Sequence, residues 1–88
     1  MNRSLLDLDT QLYYAVANFQ QYTAVGTFEQ AGDNFAYVAV NNTIVFESQK
    51  FYFPIVGLSF YEVPESKSLY LYIMTDRIFK VQVVQNGV

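Results

Sequence analysis

The sequence predicts an α+β fold: one N-terminal helix packed on a strongly curved antiparallel meander of five to six strands, closed as a half-barrel. Three observations carry that expectation. Apolar residues in the first quarter of the 88-residue chain recur at three- and four-residue steps. The remainder alternates in short runs separated by turn residues. Between Phe35 and Phe46, two β-branched and aromatic runs flank Asn41-Asn42, and Asn is the non-glycine residue best suited to the positive φ that both central positions of a type I′ turn require.

The helix is expected over about residues 5–22. Ser4 is a good N-cap, Asp7 stands in capping-box position, and Asp9 lies near the positive helix end. Leu5, Leu8, Leu12, Val16, Phe19 and Tyr22 form the apolar stripe, flanked by Leu6, Tyr13 and Ala17. Asp7, Gln11, Asn18 and Gln21 mark the polar side. Tyr, Val, Asn and Thr give this segment only fair helix propensity, so packing must supply most of its stability.

The strands follow in order. About residues 24–30 form the first, interrupted by Gly26, which points to a bulge or a close backbone approach. Residues 31–34 form a turn. The central hairpin joins strands at about 35–40 and 43–48, and a two-residue turn pairs Val40 with Thr43, Ala39 with Ile44, Val38 with Val45 and Tyr37 with Phe46. Both of its faces are apolar near the turn, so it must be covered twice. Residues 51–63 read as two short strands or one strand bent near Gly57, with Pro54 and Gly57 poor choices for a strand interior. Residues 64–68 are a loop.

The last hairpin, about 69–74 and 78–84, is registered by its faces. An odd loop centred on Asp76 pairs Ile73 with Phe79, Leu71 with Val81 and Leu69 with Val83, an all-apolar face. Tyr70, Tyr72, Met74, Ile78, Lys80 and Gln82 then share the other. Residues 85–88 are a tail. The whole chain, 1–88, is expected to be one domain.

Six strands at about 4.8 Å spacing span roughly 24 Å, whereas a helix is about 10–12 Å wide. Either the sheet curls around the helix or a second copy covers the remainder, and a two-fold homodimer is the natural form. A helix followed by an antiparallel meander resembles the cystatin-like wrap of a curved sheet around one helix. That likeness lies in element order, without a motif, and carries no activity with it.

Composition narrows the chemistry. Hydrophobic residues make up 52% of the chain and charged residues only 15%, below the roughly 25% usual for soluble domains, so apolar surface is left to share. The formal charge is −3, with Arg3, Lys50, Lys67, Arg77 and Lys80 scattered, which argues against nucleic acid as a partner. Cys and His are absent. No disulfide, thiolate metal site, imidazole base or cofactor pattern is therefore expected. Asp7 and Asp9 interrupt the apolar residues of the first turn, which reads against a signal peptide, and no apolar run approaches a membrane span. The expectation is a soluble cytoplasmic protein.

Most carboxylates read as helix-start, turn or strand-end charges. Glu62 stands out in an apolar strand, where a cross-strand Tyr70 hydroxyl would bond it; otherwise it is an outward charge that discourages edge pairing. Tyr70 and Tyr72, with Met74 and either Tyr52 or Phe60 alongside, form the most suggestive surface. It reads as a self-association surface, as core, or as a platform for a foreign ligand. The leading functional expectation is a non-enzymatic interaction module, a homodimer whose interface uses the sheet aromatics, which binds a protein partner or serves an accessory role. The alternative is a small carrier with an apolar pocket between helix and sheet, lined by Tyr13, Val16 and Phe19.

Overall fold

The structure, a computed structural model, describes Ser4, residues 12–28 and residues 33–84. Seven strands lie among them: β1 Leu12–Phe19, β2 Tyr22–Phe28, β3 Asn34–Val40, β4 Thr43–Glu47, β5 Gly57–Glu62, β6 Leu69–Met74 and β7 Ile78–Val84. They form two meanders, a four-stranded sheet in the order β1-β2-β3-β4 and a three-stranded sheet in the order β5-β6-β7, every pair antiparallel. The described residues contain no helix. The fold is all-β, and the expected α+β arrangement is corrected.

Residues expected to close the N-terminal helix instead form β1 and the start of β2. The expected helix residues 5–11, with the Asp7 cap, lie outside the described residues, and Ser4 bridges Thr43. The misreading has a definite cause. Ala15, Ala17 and Phe19 turn towards the core, while Val16 and Asn18 turn away. A strand that is apolar on both faces yields three- and four-residue spacings when the two faces are sampled together, and Val16 and Phe19 in fact lie on opposite sides. The turn that folds β1 onto β2 carries no glycine: Gln20 takes φ 53° between Phe19 and its partner Tyr22. Such a left-handed residue costs roughly 1–2 kcal/mol, and next to it the Thr23 hydroxyl donates to Asn18 Oδ1 at 3.0 Å.

The central hairpin forms where expected, with Asn41 at φ 50° and Asn42 at φ 72°. Val40 pairs with Thr43 and Ala39 with Ile44, then a bulge intervenes, so that Val38 faces Phe46 and Tyr37 faces Glu47. The expected pairs Val38 with Val45 and Tyr37 with Phe46 are thus corrected by one residue. The bulge sends Phe46 to the core and leaves Val45 50% exposed. β3 is buried on both faces, with Ala36 and Val38 on one side and Tyr37 and Ala39 on the other.

Residues 51–63 contain one strand, β5, preceded by an irregular connection held against the four-stranded sheet. The Ser48 amide donates to the Ala36 carbonyl at 2.9 Å and the Ala36 amide to Ser48 Oγ at 2.8 Å. Asn34 and Phe51 exchange both backbone bonds, at 3.1 and 2.8 Å, and Asn34 Nδ2 also donates to the Phe51 carbonyl at 3.2 Å. This anchoring delivers Ile55 into the space between the sheets, fully buried.

There Ile55 joins Ala24, Ala36, Val38, Phe51, Leu71 and Ile73, with Phe46, Leu58, Phe60, Phe79 and Val81 packed around them. Each sheet thus covers the other, which removes the need for a helix or a half-barrel and replaces the cystatin-like wrap. In the last hairpin Ile73 pairs with Phe79 and Leu71 with Val81, as the faces require. A bulge then pairs Leu69 with Val84 rather than with the expected Val83.

Candidate functional site

Strand β6 alternates cleanly. Leu69, Leu71 and Ile73 are buried, and Tyr70, Tyr72 and Met74 line the opposite, outer face. Neighbouring strands extend that face through their register: β5 places Gly57 beside Met74, Ser59 beside Tyr72 and Tyr61 beside Tyr70, while β7 adds Ile78, Lys80 and Gln82. Tyr61 and Tyr72 are diagonal neighbours, with ring centroids 6.5 Å apart at 54°. Lys80 Nζ stands 4.6 Å from the Tyr70 ring centroid, a cation–π distance. Gly57 leaves room for Met74, whose Cε would lie 3.0 Å from any Cβ built there. Tyr61 is 46% and Ile78 65% exposed.

Of the candidates singled out by sequence, the structure brings Tyr70, Tyr72 and Met74 together and separates the rest. Phe60 turns to the core, its ring 6.1 Å from Phe19 and 6.4 Å from Tyr22. Glu62 pairs with Leu69, on the face opposite Tyr70, so strand alternation sets apart the two residues that one reading of the sequence had bonded. Tyr52 is 77% exposed in the connection before β5, with Lys50 Nζ 5.5 Å from its ring. Among the described residues no helix stands over the sheet to form the carrier pocket; Val16 is exposed on the outer face of β1, and Phe19 packs inward. The backbone of Tyr13 lies in β1, but its side chain is outside the described residues. Tyr61 escaped the sequence reading. Its alternation with Phe60 was the available signal, and the strand's start at Gly57 was needed to fix which of the two faced out.

A cleft of about 210 Å³ lies between residues 49–53 and the turn at 75–77, walled by Phe51, Tyr52, Phe53 and Phe79. It is smaller than the roughly 300–1,000 Å³ of drug-sized ligand sites. Its cations are already accompanied: Lys50 Nζ lies 3.8 Å from Asp33 Oδ1, and Arg77 Nε lies 3.8 Å from Asp76 Oδ2.

No family model, curated protein or solved structure matches this chain. Function is therefore read from the surface itself. Among the described residues, no three Asp or Glu side chains gather as a metal site, and no helix is long and apolar enough to cross a membrane. What the outer face of β5-β6-β7 offers is ring area, three phenolic hydroxyls and one cation. These are means of non-covalent recognition.

Proposed function

We propose that this chain is a non-enzymatic interaction module that works as a homodimer, with the outer, tyrosine-rich surface of the three-stranded sheet as its means of contact with other proteins. One observation carries the reading: Tyr61, Tyr70, Tyr72, Met74 and Ile78 form a continuous aromatic and apolar surface on the side of the sheet turned away from the core. Apolar surface grouped in this way marks interaction sites, and Tyr supplies large contact area at low entropic cost. The lack of His and Cys from the chain supports a binding role over catalysis.

Light scattering across a dilution series tests it. A mass near twice 10.1 kDa that falls only on strong dilution is the expected result. A constant mass of one chain up to high micromolar concentration would overturn the homodimer.

A further inference from the structure

The cleft between residues 49–53 and the turn at 75–77 is lined by none of the tyrosines of the outer face. Four rings wall it. Phe51 is buried and packs against Phe79 on the core side, with ring centroids 4.9 Å apart at 55°. Tyr52 and Phe53 border the same hollow and are more than half exposed. A planar ring entering the cleft would cover them and meet aromatic surface on several sides. An apolar cavity of about 150 Å³ holds a benzene ring. At about 210 Å³ this cleft has room for one ring and a short substituent.

Charge decides the nature of that substituent. Lys50 stands on one wall and Arg77 on the other, and Asp76 is the single carboxylate among the described lining residues. The cleft is thus locally positive in a chain whose net charge is −3. Asp76 is already engaged, since the Thr75 hydroxyl donates to its Oδ1 at 2.9 Å and Arg77 Nε lies 3.8 Å from its Oδ2. Asp33, 3.8 Å from Lys50 Nζ, is not among the lining residues. Both ion pairs are longer than a hydrogen bond. With three donors on lysine and five on arginine, each cation can donate to a further anion as well.

We infer that this cleft binds a small aromatic carboxylate, with its ring among the four aromatic walls and its carboxylate held between Lys50 and Arg77. A carboxylate only accepts hydrogen bonds, which matches the two cationic donors that face each other across the cleft. The ring supplies the burial that Tyr52 and Phe53 lack. The site is separate from the tyrosine-rich face and stands whether or not two copies of the chain associate.

Phenylacetate is the probe, titrated into the whole chain with backbone amide chemical shifts as readout. For a ligand of this size the dissociation constant should fall in roughly the millimolar range, with shifts concentrated at residues 49–53 and 75–79. Phenylacetamide keeps the ring and loses the charge, and acetate keeps the charge and loses the ring; each should bind about tenfold more weakly. Lys50→Gln and Arg77→Gln, both at exposed side chains, should each weaken phenylacetate about threefold to tenfold and leave phenylacetamide unchanged. Equal affinity for phenylacetamide, or shifts that fall on Tyr61, Tyr70 and Tyr72 instead, would overturn the inference. So would a failure of phenylacetate to produce saturable shifts by roughly 50 mM.

Discussion

Ile55 rests directly on Gly26: a Cβ placed at Gly26 would lie 2.7 Å from Ile55 Cγ2 and 2.9 Å from Ile55 Cβ. The side chain that plugs the space between the sheets comes from an irregular connection, and the residue beneath it must have no side chain of its own. Opposite Gly26, β1 carries a bulge between Tyr13 and Ala15. The glycine is therefore where the sheet is both locally irregular and most closely approached.

Gly26→Ala should accordingly destabilise the protein by about 1–3 kcal/mol, the usual cost of overpacking a filled core. Ile55→Ala should cost about 2–5 kcal/mol through lost burial and the cavity left behind. Combined, the two should cost somewhat less than their sum, because removing Ile55 Cγ2 relieves the 2.7 Å contact while the 2.9 Å contact with the Cβ at position 55 remains. Urea unfolding of the four proteins checks this, and strict additivity would show that the contact is not tight.

The Asn41-Asn42 turn makes a second test, since both residues have positive φ. Asn42→Val forces a β-branched residue into the left-handed region and should cost roughly 1–2 kcal/mol. Asn42→Gly should be tolerated without loss, as Asn-Gly is the preferred type I′ pair. Thermal unfolding midpoints of the two variants should move in clearly different degrees.

The bulge in β4 separates two neighbouring residues. Phe46→Ala should cost about 3 kcal/mol, because its ring packs on the shared core. Val45→Thr should change stability by no more than about 0.5 kcal/mol at a position half exposed to solvent. Reversal of that order in denaturant melts would restore the unbulged register.

Ser48 tests the connection between the sheets. Its hydroxyl accepts the Ala36 amide at 2.8 Å in a buried setting, so Ser48→Ala leaves that N–H without its acceptor and should cost about 1–3 kcal/mol. Amide exchange at Ala36 should accelerate in the variant. Unchanged protection at Ala36 would mean that the bond contributes little.

Much of the three-stranded sheet was legible in the chain because β6 and β7 each bury one face, and alternation then identifies both the inward and the outward set. Tyr70, Tyr72 and Met74 could be placed on one face for that reason. The choice between Tyr52 and Phe60 stayed open because residues 51–63 do not form one strand, and parity cannot be counted across the irregular turn that delivers Ile55. Likewise, the Glu62 to Tyr70 pairing required a register that only the start of β5 at Gly57 fixes.

By itself, the sequence determined the Asn41-Asn42 turn and the faces of β6 and β7, since each follows from local backbone conformation or from a two-residue period with one side buried. Only the tertiary structure decided that residues 12–22 form β1, a turn and the start of β2 rather than the end of a helix, that β4 bulges, and that two sheets cover one another around Ile55. These outcomes turn on segments apolar on both faces, where several local patterns fit equally well. The choice among them falls to whichever arrangement buries both sides at once.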